Sequence, residues 1–115
     1  MSRKLDAAIA EALGETVARI DYEKYLKYVI PGNKSEQQRD LPCYSTNGNA
    51  MLELEREMRA RGYYISVNRT PKDTFRASYE LLEEGVFIYS LIGNTIPEAV
   101  ALAAYKALTG EEWSE

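Results

Sequence analysis

The chain has 115 residues, one cysteine, no histidine and a formal net charge of −4. Without histidine, the commonest general base and the commonest metal ligand are both missing, which excludes histidine-containing triads and most zinc sites. The acids are interleaved with bases, as in Glu53-Leu54-Glu55-Arg56-Glu57-Met58-Arg59. That balance argues against a dedicated nucleic-acid binder, which depends on phosphate neutralisation, and against a DNA mimic built from dense carboxylates.

Residues 3–13 read as a helix, with Leu5, Ala8, Ile9, Ala12 and Leu13 on one stripe and Gly14 placed to end it. Segment 15–43 reads as irregular. Within it, 17–29 fits helix or strand equally, Pro31-Gly32-Asn33 is a break, and Lys34–Asp40 is polar enough for an exposed loop. Ser45, Thr46 or Asn47 can cap a second helix over 49–61, which carries Ala50, Leu54, Met58 and Arg61 on one face.

Strands follow. Tyr63, Ile65 and Val67 alternate with polar residues, Thr70-Pro71-Lys72-Asp73 is a tight turn, and 74–82 places Phe75, Ala77, Tyr79 and Leu81 on one face. Glu83-Glu84-Gly85 is a second turn, and 86–92 is a third, more apolar strand. Strands joined by such short turns must run antiparallel. Thr95-Ile96-Pro97-Glu98 matches a capping box with proline in the first turn. It opens an alanine-rich helix over 96–108, closed by Gly110 and followed by an acidic tail that holds Trp113.

The expected fold is one α+β domain spanning 1–115: a three-stranded antiparallel meander packed with two to three helices, an α–β–β–β–α core layered as an α/β/α sandwich. Its parts are an N-terminal helix (1–14), the irregular segment (15–43), the core (44–110) and a tail (111–115). A chain this long needs neither disulfide nor metal to fold. A lone Cys43 points to a reducing compartment. Met1–Asp6 lacks the apolar core of a signal peptide, and no apolar run approaches the ~20 residues of a membrane span. The cytoplasm is the expected location.

No catalytic constellation is spelled out. Cys43 has no histidine to activate it. Glu83/Glu84 and Glu111/Glu112 sit in turn and tail positions, and the glycines form no phosphate loop. A non-enzymatic protein without metal or cofactor is expected.

Binding residues are easier to nominate. Tyr44-Ser45-Thr46 and Asn94-Thr95 each precede a helix, where an anion can be held, although capping alone also explains them. Arg69 and Arg76 flank the first hairpin and are expected to face each other across it. With tyrosines on the same sheet they suit a nucleotide, and edge protection by charge is the plainer alternative. The nine tyrosines, against two phenylalanines, serve either interfaces or half-buried strands.

The element order is similar to the double-stranded-RNA-binding fold. That fold contacts RNA through lysines at the start of its last helix, and this chain has Asn94-Thr95-Ile96-Pro97-Glu98 there, so RNA binding is not carried over. A second resemblance covers residues 29–109. Val29-Ile30-Pro31-Gly32, Leu41-Pro42-Cys43-Tyr44-Ser45-Thr46 before a helix, Gly62-Tyr63 before a hairpin, and the ending Thr95-Ile96-Pro97-Glu98-Ala99 with Ala103-Ala104-Tyr105-Lys106-Ala107-Leu108 resemble the phage ABA (α/β/α) sandwich domain family. Ile96 stands where the family tends to have alanine, and the tryptophan common in the helix after Tyr-Ser-Thr is absent.

The resemblance implies a phage or prophage origin and no catalytic residues. By analogy, it leads to a binding protein that antagonises a host defence, either by sequestering a nucleotide signal or by blocking a host protein. A nucleotide sponge is expected to be a homo-oligomer. Its site is expected among Tyr44, Ser45, Thr46, Arg69, Arg76, Asn94 and Thr95. The alternative is a structural or regulatory phage component that docks a protein partner through an exposed tyrosine patch such as Tyr22–Tyr28. Neither double-stranded nucleic acid nor membrane is an expected partner.

Overall fold

The computed structural model describes residues 3–21, 26–30, 39–81, 83 and 88–114. In chain order the elements are α1 (Arg3–Ala12), β1 (Ala18–Asp21), β2 (Leu26–Ile30), β3 (Arg39–Asp40), α2 (Gly48–Ala60), β4 (Tyr63–Arg69), β5 (Phe75–Leu81), β6 (Ile88–Gly93) and α3 (Ile96–Thr109). The expected α+β fold is present, with a three-stranded antiparallel meander β4–β5–β6 and helices packed on it.

The period-two alternation sets the register. Ile65 pairs with Tyr79 and Tyr79 with Tyr89, while Val67 pairs with Ala77 and Ala77 with Leu91. These residues form the inner face, on which Ala77 and Tyr79 are fully buried. The β4–β5 turn places Asp73 in the left-handed region (φ 60°), with the Thr70 N–H donating to the Thr74 carbonyl at 2.8 Å. This is the three-residue hairpin loop in which a turn is followed by a left-handed residue.

Helix α3 covers β5 and β6, and α2 covers β4 and touches α3. Helix α1 lies against α3, away from the sheet. That central position explains the alanines. Ala99, Val100, Ala101, Ala103, Ala104 and Ala107 are all buried, and only small side chains allow so many neighbours to approach one helix. Thr95 caps α3 by accepting from the Glu98 N–H at 3.2 Å. Leu5 and Ile9 of α1 are fully buried, each contributing about 1.5–3 kcal/mol. Trp113 in the tail packs edge-on against Tyr105, with ring centroids 5.2 Å apart.

One expectation is corrected. Segment 15–43 is not irregular throughout: β1 pairs antiparallel with β2, and β2 with β3, in a second small sheet. The open choice for 17–29 resolves to strand where it is described, and Arg39–Asp40 is strand rather than loop. Alternation in Leu26–Ile30 is the local cause, and the sheet joins the core through the buried Ile30 and Leu41. Among the described residues the helices stand on one face of the meander, because the other face carries serines, asparagine and charge where a covering helix would need apolar partners. The Pro31–Asn33 break and the second turn lie wholly or largely outside the described residues, as do the Tyr22–Tyr28 side chains.

Candidate binding surface

The segment before α2 is locked from below. Asp6, on α1, is 1% exposed and accepts from the Ser45 backbone N–H at 2.9 Å and from the Arg3 guanidinium at 2.7 Å. Arg3 also donates to the carbonyls of Leu41 and Pro42 and to Cys43 Sγ at 3.2 Å. Asn47 then caps α2, accepting from the Asn49 and Ala50 N–H groups. Sequence reasoning missed this latch, since Arg3 and Asp6 read as ordinary charges near a terminus. The only signal was the i, i+3 spacing of opposite charges on the first turn.

Latching turns Tyr44 and Ser45 inward, to 4% and 1% exposure. They belong to the core, whereas Thr46 is exposed. Arg69 pairs with Asp73 at 2.9 Å across the hairpin turn, both side chains largely exposed. Arg69 and Arg76 do not face each other: Arg69 is opposite Phe75, and Arg76 is opposite Asn68. They differ by an odd number of residues around the hairpin, so the pleat sends them to opposite faces. Asn94 and Thr95 follow Gly93, which pairs with Phe75, so they share the Arg69 end of the sheet. Thr95 there is the helix cap.

Two open surfaces remain. The first is the outer face of the meander, with rows Asn68–Arg76–Ile92 and Ser66–Ser78–Ser90 and then Tyr64–Glu80. Tyr64 and Ile92 are 49% and 50% exposed. Arg76 has no hydrogen-bond or ion-pair partner among the described residues. The second is a cleft of about 660 Å³ between Pro42–Cys43 and the first half of α2, lined also by Asn47, Leu52, Glu53 and Arg56. Arg56 stands between it and a smaller cleft of about 150 Å³ that contains Glu15, Glu53 and Glu57. The carboxylates around Arg56 offset its attraction for an anion.

Burial pushes the Tyr79 phenol above its usual range, and the Glu55 carboxylate pushes the same way. Its hydroxyl is buried without a partner. Among the described residues, no three His, Cys, Asp or Glu side chains gather as metal ligands, and no helix is long and apolar enough to cross a membrane.

Compared with family models, curated proteins and solved structures, the chain matches none of them.

Proposed function

We propose that the chain is a non-enzymatic accessory protein of phage or prophage origin, acting by docking a host protein through the outer face of its meander. The observation that carries this reading is a sheet face left bare of helices among the described residues, on which an unpaired Arg76 stands beside half-exposed Ile92, with half-exposed Tyr64 two rows further along the same face. Arginine and tyrosine are the side chains most often decisive at protein interfaces, and a flat face suits a protein surface better than a small molecule. The partner it fits offers a carboxylate to Arg76 and an apolar bed to Tyr64 and Ile92. The phage origin rests on the sequence resemblance alone.

The test is capture from host lysate with wild-type protein, an Arg76→Glu/Ile92→Glu double variant and Arg56→Glu. The reading expects one protein retained by wild type and by Arg56→Glu, and lost from the sheet-face variant. Loss from Arg56→Glu alone would move the site to the α2 cleft. Sequestration of a nucleotide signal is the second reading, favoured by the volume of that cleft and the unpaired Arg56. Native mass spectrometry of protein purified from phage-challenged cells separates the two: a retained nucleotide mass supports sequestration, and a ligand-free mass supports docking.

A further inference from the structure

Strand β4 is an edge of the meander, with β5 on one side and no strand on the other among the described residues. Edge strands in monomeric proteins are guarded by lysine, proline, bulges or short length. Charge guards edges too, and β4 carries a single charge, Arg69, at its very end, where it pairs with Asp73; along the rest of the strand none of these devices is present. It runs seven residues, Tyr63–Arg69, pairs with β5 in unbroken register, and contains neither proline nor lysine. From Ser66 to Arg69 every residue is exposed, including the apolar Val67 at 36%.

The direction of its free backbone groups can be worked out. The Thr70 N–H donates to the Thr74 carbonyl, which makes 70/74 a hydrogen-bonded pair. In an antiparallel ladder such pairs alternate with non-bonded ones. Asn68, Ser66 and Tyr64 therefore turn their amides towards β5, while Ile65, Val67 and Arg69 present theirs to the open edge. We propose that β4 pairs antiparallel with β4 of a second copy across a twofold axis, giving one continuous six-stranded sheet.

A second copy is the occupant because the strand is complementary to itself. Overlapping the whole strand with its mate centres the pairing on Ser66. Ile65 then lies opposite Val67 of the partner subunit, and Val67 opposite Ile65 of the partner subunit. Both pairs join outward-facing amides and cover the exposed valine. Ser66 faces Ser66 of the partner subunit in a non-bonded pair. The one charge, Arg69, falls at the far end of the strand from its symmetry mate, about 20 Å away, so like charges do not meet. Among the described residues the opposite edge offers no comparable run, since Gly93 of β6 is buried beneath Ala99 of α3. The dimer places two outer faces side by side and stands independently of what those faces bind.

Sedimentation velocity and light scattering on the full chain test the proposal. Wild type is expected at twice 13.0 kDa, Val67→Lys at 13.0 kDa with unchanged circular dichroism, and Ile92→Lys on the other edge still dimeric. In a Cys43→Ser background, Ser66→Cys is expected to form an intermolecular disulfide on air oxidation, because facing residues of a non-bonded pair approach closely, while Asn68→Cys is not. Should Val67→Lys fail to fold, the Ser66→Cys cross-link decides. A wild type that stays at 13.0 kDa at its highest soluble concentration would overturn the proposal. So would an uncross-linked Ser66→Cys, or a dimer broken by Ile92→Lys and not by Val67→Lys.

Discussion

Substituting Gly93 by alanine probes the closest approach in the fold. A Cβ on Gly93 would lie 2.6 Å from the Ala99 amide nitrogen, 2.9 Å from Ala99 Cα and 3.1 Å from the Glu98 carbonyl carbon. Carbon needs roughly 3.5–4.0 Å, so about an ångström is missing against backbone alone. No rotamer change can relieve it. That first turn of α3 is held by the Thr95 cap and by the Ala99 N–H donating to the Thr95 carbonyl at 3.0 Å. Overpacking costs about 1–3 kcal/mol where side chains yield, and a backbone clash belongs at the top of that range, about 3 kcal/mol. Out of a total stability of about 5–15 kcal/mol that is a large share, and at ~4 °C per kcal/mol for a domain of this length it lowers Tm by about 12 °C. Urea and thermal unfolding followed by circular dichroism measure it. Gly48→Ala is the matched control: nothing lies within 4 Å of its Cβ, it opens α2, and it is expected to be neutral or stabilising by up to about 1 kcal/mol. A Gly93→Ala protein within about 0.5 kcal/mol of wild type, the ordinary scatter of surface substitutions, would refute the seating of α3 on β6.

Tyr79→Phe is expected to raise stability by about 1 kcal/mol at neutral pH, because it removes a buried hydroxyl that has no partner. Above pH ~10 the unfolded chain loses the phenol proton while the folded chain keeps it, so wild-type stability falls as pH rises, by up to about 1.4 kcal/mol per unit, and the substitution removes that component. Paired urea titrations at neutral and alkaline pH check both effects. Asp6→Ala strands the Ser45 N–H and frees Arg3, whose side chain is 37% exposed and stays partly solvated. The expected loss is about 2 kcal/mol, with faster hydrogen exchange at the Ser45 amide.

Where one local rule governs a segment, the fold could be read directly. The alternation in Tyr63–Val67 and Phe75–Leu81 gave the meander and its buried face, and the Thr95–Glu98 signature gave the start of α3. Ser45, Thr46 and Asn47 were equivalent as caps until tertiary structure chose: Asp6 takes the Ser45 amide, and Asn47 is left to cap α2. The second sheet was hidden because its strands are short and their partners are separated in sequence, as Ile30 is from Arg39. For the site, residue type was a poor guide to exposure. Tyr44 and Ser45 look like surface groups and are buried, while Arg69 and Arg76 look like a pair and are separated by the pleat. Arg76 with Tyr64 and Ile92 became visible as one surface only once the register was known.

The latch also changes what Leu41–Thr46 means. This stretch carries much of the family resemblance, and in the structure it is a packing element. Leu41 and Tyr44 enter the core, the Leu41 and Pro42 carbonyls receive Arg3, and the Ser45 amide is held by Asp6. Packing accounts for apolar bulk at 41 and 44, for a small side chain at 45, whose hydroxyl is buried without a partner among the described residues, and for the helix cap two residues later. A stretch held by packing ties α1 to the segment that leads into α2 and leaves function to surfaces on which packing makes no demand. The outer face of β4–β6 is such a surface. Nothing in the core requires Tyr64, Arg76 or Ile92, and all three stand on a face with no helix over it among the described residues.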